Sequence, residues 1–127
     1  MRPVPATAVM AWVAVQPATS QYTTTITQSE IMLGIMLLPA GKRRARLQSA
    51  AHAMFIEDFA NRVLAFGTDA ASLYAQIAAD RRRKGRPISH FDAQIAAIAR
   101  ANGARLATRN VSDFQGCGIQ LVNPWQD

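Results

Sequence analysis

The sequence predicts an α/β domain with a mostly parallel sheet. Helical apolar patterns alternate with short β-branched or apolar runs along the chain, and strands separated by helices are typical of parallel sheets. The length of 127 residues, half of them apolar, fits one domain with a real core. We therefore expect residues 1–127 to form a single domain.

The elements of the first half follow from apolar spacing and from proline and glycine stops. Residues 4–15 carry Val9, Trp12 and Val13 on one helical face, and Pro17 ends that pattern. The Thr- and Ile-rich run at 22–26 predicts a buried strand. The elements that follow are a helix at 28–38 ended by Pro39-Ala40-Gly41, a long amphipathic helix or helix pair at 42–61, and a strand at 63–66.

The second half repeats the alternation. Thr68 or Asp69 caps a predicted helix that runs to Arg83, with Ile77 turned inward and Arg81 turned outward. The remaining predicted elements are a helix at 91–102 started by Ser89 and ended by Asn102-Gly103, a strand at 105–108, a short helical turn around Asp113 and a last strand at 119–122.

Composition narrows the environment and the partners. The formal charge of +6 favours an anionic partner such as nucleic acid, an acidic protein or a phosphate-bearing ligand. The single cysteine, Cys117, cannot form an internal disulfide and suits a small core position in a reducing cytosol. No run approaches the roughly 20 apolar residues that span a bilayer, and the N-terminal pattern is amphipathic rather than that of a signal peptide. We expect a cytoplasmic protein.

Three short phrases share one spacing, with a carboxylate three residues after a capping-type side chain. They are Thr27-Gln28-Ser29-Glu30, Ser89-His90-Phe91-Asp92 and Asn110-Val111-Ser112-Asp113. One interpretation is the capping box, which stabilises a helix start by roughly 1 kcal/mol. The other is a shared site, because helix starts that follow strands lie at the carboxyl edge of a parallel sheet. Carboxylates gathered there would bind Mg²⁺ or Mn²⁺.

The metal-ligand candidates are therefore Glu30, Asp92 and either Asn110 or Asp113. His90 could act as a general base beside Asp92, although a lone histidine at a helix start is more often a solvated neighbour. Two basic clusters could bind a phosphate backbone or could be solvated helix ends. They are Lys42-Arg43-Arg44 with Arg46, and Arg81-Arg82-Arg83-Lys84 with Arg86.

These motifs together resemble PIN-domain ribonuclease toxins of the VapC and FitB type, which belong to type II toxin–antitoxin systems. The similar stretches lie at 24–30, 88–97, 106–114 and 123–125, and the likeness spans the whole chain. The resemblance implies a PIN-like three-layer fold and a Mg²⁺-dependent endoribonuclease (Mn²⁺ being the alternative ion) that cuts RNA and is silenced by a cognate antitoxin. It also implies that Glu30 and Asp92 match two of the family's acidic positions, with Asn110 or Asp113 at the fourth.

The first acidic residue of the family has no counterpart in this sequence. In the family it lies on a central N-terminal strand. We therefore expect the fold here to lack that strand, and to lack the metal ligand that the strand carries. Two hypotheses follow: an endoribonuclease toxin whose true start lies upstream, or a catalytically inactive PIN-like protein that binds antitoxin or forms mixed dimers. A basic RNA-binding module without chemistry is a weaker third interpretation.

The helix predicted at 28–38 carries more apolar surface than one face can bury. Its seven apolar side chains include Met32 and Met36, whose flexibility suits an adaptable interface. We expect this surface, together with the helix near residues 10–15, to accept an antitoxin segment and to support a homodimer.

Overall fold

The computed structural model describes residues 21–123, in which helices and short strands alternate as predicted. The predicted helix at 4–15, with Trp12, and the segment at 124–127, with Trp125, lie outside the described residues. The elements are β1 (Thr23–Thr24), α1 (Thr25–Met36), α2 (Lys42–Ala53), a π-helical turn (Met54–Asp58), β2 (Val63–Leu64), α3 (Thr68–Arg83), α4 (His90–Ala101), β3 (Leu106–Ala107), a 3₁₀ turn (Val111–Phe114) and β4 (Leu121–Val122).

The strands form two parallel pairs. Strand β1 pairs with β2 in the register Thr23 to Val63, and β3 pairs with β4 in the register Leu106 to Leu121. Within residues 21–123 no ladder joins the two pairs. Parallel pairing agrees with the predicted sheet, and two separate pairs are the arrangement expected where a central strand is not among the described elements.

The core lies where α3 and α4 pack together. Helix α4 buries alanines at 93, 96, 97 and 99 around the fully buried Ile98, and such small side chains allow close helix approach. Ala70 and Ile77 from α3, Phe114 from the 3₁₀ turn and Cys117 complete the cluster. Side chains of α1, β2, β3 and β4 pack against it. Cys117 is the small core residue that the sequence predicted.

Several predicted boundaries of helices and strands differ from those in the structure. Helix α1 begins at Thr25, so the strand expected at 22–26 shrinks to two residues. The segment 42–61 divides into α2 and the π-helical turn, and Gly67 precedes α3 in place of a Thr68 or Asp69 cap. Helix α4 begins one residue early and ends at Asn102 and Gly103, where Gly103 has a φ of 61°.

No helix among residues 21–123 is long and apolar enough to cross a membrane.

Candidate metal site and partner surfaces

Glu30 is carried by α1, whose start is fixed by a buried threonine. Thr24 is the N-cap: its Oγ1 accepts a hydrogen bond from the Thr27 amide at 3.0 Å and lies 3.0 Å from the Thr27 hydroxyl. The capping-box interpretation with Thr27 as the cap is therefore wrong. Glu30 lies in the second turn of α1 and is partly buried. Its carboxylate is consequently free of a capping role at the helix start.

Asp92 lies in the first turn of α4. Ser89 is the N-cap, as predicted, and its Oγ accepts a hydrogen bond from the Asp92 amide at 3.1 Å. A carboxylate in the first turn also interacts favourably with the helix dipole. The cap fixes the Asp92 backbone, and the side chain is partly buried.

Helices α1 and α4, which carry Glu30 and Asp92, pack against each other. Partial burial raises the pKa of Glu30, and the negative charge of Asp92 raises it further. Two carboxylates that repel each other in a partly desolvated place favour a cation between them. Mg²⁺ is usually held by one or two carboxylates together with waters, so the pair fits that ion.

The third phrase forms the 3₁₀ turn at 111–114. The Asn110 amide donates to Thr108 Oγ1 at 3.1 Å, and the Asp113 amide donates to the Asn110 carbonyl at 3.0 Å. Asp113 is exposed, whereas Asn110 is half-buried. Across residues 21–123, no three His, Cys, Asp or Glu side chains lie close enough together to hold one ion.

Arg81 is a feature that sequence reasoning missed. It was predicted to face solvent, yet only 6% of its surface is exposed. Its guanidinium donates to the carbonyls of Arg86 at 2.7 Å, Asp113 at 2.9 Å and Gln115 at 3.0 Å. The available signal was its position four residues after the buried Ile77, on the same face of α3.

His90 contacts a tyrosine of α3 through both its ring and its Nδ1 atom. Its ring stacks on Tyr74 at 6.4 Å between centroids, and its Nδ1 lies 2.7 Å from the Tyr74 hydroxyl. The pair, in which His90 is exposed and Tyr74 is half-buried, joins α3 to the start of α4.

An apolar groove runs between α1 and α2. Its volume is about 450 Å³, and Met32, Ile35, Met36, Phe55 and Ile56 supply its apolar lining. Met32 and Met36 remain about half exposed, at 51% and 52%. The prediction that α1 leaves apolar surface uncovered is confirmed for the described residues.

The remaining apolar surface of α1 lies outside that groove. Leu33 and Leu37 are four residues apart, are exposed by 55% and 76%, and do not line the groove. Helix α1 thus has two distinct apolar surfaces. We call them the groove surface (Met32, Ile35, Met36) and the outer surface (Leu33, Leu37).

The chain belongs to the PIN-domain family, whose model matches residues 5–115. It is 38% identical to the VapC ribonuclease Y4jK of Sinorhizobium fredii over 96% of this chain and 87% of that protein. It is 33% identical to the toxin FitB of Neisseria gonorrhoeae over 100% of this chain and 91% of that protein. A solved structure of FitAB bound to a DNA fragment, IR36, has a TM-score of 0.89 at 33% identity, with 98% of this chain and 87% of that chain covered. Membership of the VapC and FitB toxin class and the PIN fold are therefore established.

Proposed function

We propose that this protein is a Mg²⁺-dependent endoribonuclease toxin that cleaves RNA phosphodiester bonds. The observation that carries the proposal is the Glu30 and Asp92 pair in a PIN fold, where Asp92 raises the pKa of Glu30. Similarity to a protein named as a VapC ribonuclease supports the reaction class. The proposal treats residues 1–127 as one PIN-like domain acting in the cytoplasm.

Glu30 and Asp92 would bind the metal directly, with Mn²⁺ as an alternative ion. Asn110 and Asp113 are the candidates for a further oxygen ligand, because the 3₁₀ turn that carries them packs against α4. When bound, Mg²⁺ supplies a more acidic water and charge stabilisation at a phosphoryl oxygen. The carboxylates orient that centre, and Ser89 holds the Asp92 backbone in place.

The RNA substrate would be held through its phosphates. Three cations at the start of α2 (Lys42, Arg43, Arg46) and four at the end of α3 and beyond (Arg82, Arg83, Lys84, Arg86) are exposed. Within residues 21–123 the one side-chain ion pair is that between Lys84 and Asp80, at 3.0 Å. Basic groups that lack acidic partners are available for phosphate contacts.

The cognate antitoxin would occupy the groove surface, and a second copy of the chain would pack on the outer surface. The groove has a volume of about 450 Å³ and a mostly apolar lining, and a helix bound in an apolar groove is a common mode of peptide recognition. The outer surface is leucine-rich and exposed. Membership of a toxin class whose solved neighbours are toxin–antitoxin complexes supports the antitoxin partner.

Cleavage is tested with purified protein and a labelled RNA in Mg²⁺, with EDTA as the metal-free condition. Asp92→Asn should abolish EDTA-sensitive cleavage. Glu57→Gln is the matched control, because Glu57 is an exposed carboxylate on the π-helical turn. Cleavage that survives both EDTA and Asp92→Asn would contradict the proposal.

The two partner surfaces are tested with a pair of variants that control for each other. Met36→Asp should weaken binding of the product of any small adjacent gene and leave self-association unchanged. Leu37→Asp, at the C-cap residue of α1 and on the outer surface, should do the reverse. Sedimentation of each variant, alone and with that product, separates the outcomes, and equal effects of both variants would contradict the assignment.

A catalytically inactive PIN-like protein that binds antitoxin or forms mixed dimers is the second candidate. The observation that favours it is that no group of three His, Cys, Asp or Glu side chains among residues 21–123 is arranged to hold a metal ion. Such a protein would bind antitoxin and a second copy as above, yet would show no Mg²⁺-dependent cleavage in the same assay.

A further inference from the structure

Arg81 is an unusual residue to bury, since a charged side chain leaves water only at a large cost unless every donor is paired. Here the cost is offset by three backbone carbonyls and by Cys117 Sγ at 3.7 Å. A guanidinium offers five donors in a rigid fork, which suits several acceptors at once. The geometry of this contact is therefore specific to arginine.

The carbonyls that Arg81 binds belong to two separate segments. One is Arg86, which precedes the Ser89 cap and Asp92; Arg86 also donates its amide to the Arg81 carbonyl at 2.9 Å. The others are Asp113 and Gln115, at the end of the 3₁₀ turn that begins after Asn110. One side chain thus ties together the two segments that carry Asp92 and the third-phrase candidates.

These segments are neighbours, because α4, which carries Asp92, packs against the 3₁₀ turn. Burial raises the pKa of the Cys117 thiol, the adjacent Arg81 lowers it, and the negative charge of Asp92 raises it, which agrees with that packing. The buried Phe114 holds the other side of that turn in the core.

We propose that Arg81 is a positioning residue, which sets the distance between Asp92 and the 3₁₀ turn and so determines how tightly the site binds a divalent cation. This inference rests on the proposed metal site. It assigns Arg81 no contact with metal or RNA. A lysine at 81 keeps the charge but cannot reach carbonyls on two segments together, so the charge and the fork geometry are separable.

The test measures Mn²⁺ binding to the purified chain. Binding is detected as the loss of the free-ion signal in electron paramagnetic resonance. Replacing groups that orient metal ligands commonly weakens metal binding by about 10–100-fold. We expect Arg81→Lys and Arg81→Met to fall in that range. Arg105→Met, which replaces an exposed arginine outside both basic clusters, should bind Mn²⁺ as the wild type does.

A merely structural role for Arg81 is tested by a second control. Ile77→Ala removes a buried side chain one turn earlier on α3 and destabilises the fold, but it removes none of the Arg81 hydrogen bonds to the two segments. It should lower Tm yet leave Mn²⁺ affinity unchanged. Hydrogen exchange of the Asp113 amide, which donates to Asn110, should accelerate in Arg81→Lys and remain slow in Ile77→Ala at temperatures where both are folded.

The outcomes separate this inference from the proposed function. If the wild type binds Mn²⁺ and Arg81→Lys binds it equally well, the positioning role alone is overturned. The same holds if Ile77→Ala weakens Mn²⁺ binding as much as Arg81→Lys does. Absence of Mn²⁺ binding by the wild type overturns the metal site itself and with it this role. Weaker binding in Arg81→Lys with unchanged binding in Ile77→Ala and Arg105→Met supports the inference.

Discussion

Replacing Glu30 with glutamine should change thermal stability in opposite directions with and without Mg²⁺. In the metal-free protein, burial and Asp92 raise the pKa of Glu30 above its ordinary value of 4.5. The folded state then binds the proton more tightly than the unfolded state. The stabilisation that protonated Glu30 gives the folded state is present below the ordinary pKa, and it is lost as the pH rises through the raised pKa of the folded state. At pH 7.5 the glutamine removes a repelled charge, so the metal-free variant should be at least as stable as the wild type.

In Mg²⁺ the order should reverse. A ligand at 100 times its Kd stabilises the folded state by about 2.7 kcal/mol. For a domain of this size each kcal/mol shifts Tm by roughly 4 °C, so the wild type should gain roughly 10 °C. The variant keeps Asp92 but lacks the charge of the second carboxylate, and we expect it to gain less than half of that.

The assay is differential scanning calorimetry at pH 5 and pH 7.5, in EDTA and in MgCl₂. Glu57→Gln is the control, because its carboxylate is exposed and distant in sequence from Asp92. An equal Mg²⁺ gain in the wild type and in Glu30→Gln would refute the metal argument. A metal-free variant less stable than the wild type at pH 7.5 would refute the repulsion argument.

Three further predictions concern the cap, the core and RNA binding. Ser89→Ala removes the acceptor for the Asp92 amide and should lower the free energy of unfolding by about 1 kcal/mol, measured by urea titration; Ser89→Asp, which can still cap, should not. Ile98→Ala leaves a cavity at a fully buried position and should cost about 2–5 kcal/mol, seen as a lower urea midpoint with an unchanged m-value. Arg43→Gln with Arg46→Gln should weaken binding of all RNA sequences alike and reduce the slope of log affinity against log salt by about 1 for each phosphate that these arginines neutralise; an unchanged slope would show that neither side chain binds a phosphate.

Helix α4 was predicted to within one residue because its local signals agree. Ser89 caps it, an apolar stripe follows at helical spacing, and Gly103 ends it. The start of α1 was misplaced because Thr24 and Thr27 are both good caps. The choice between them depends on β1, where Thr24 is buried and pairs with Leu64, a partner 40 positions away. The residues near Thr24 and Thr27 in the sequence do not indicate that pairing.

In the candidate site, too, the sequence indicates some features and not others. The sequence predicted that Glu30 and Asp92 would be neighbours, since each follows or opens an element at one rim of the sheet. The part played by Arg81 could not be predicted, because two of its acceptors lie 32 and 34 residues along the chain. In a run of three arginines and a lysine, the pattern alone does not reveal which cation is buried.

Helix α1 places the site and both partner surfaces on one rigid element. Glu30 lies two residues after Gln28, which lines the groove, and two before Met32 on the groove surface. A helix advances about 1.5 Å per residue, so a segment bound in the groove would lie within a few ångströms of the Glu30 backbone. Any shift of α1 on binding would move Glu30 relative to Asp92, which is anchored independently by Ser89 on α4. On the proposed function, groove occupancy and metal binding would therefore be linked through the position of one helix, and thermodynamic reciprocity requires that each change the affinity of the other by the same factor.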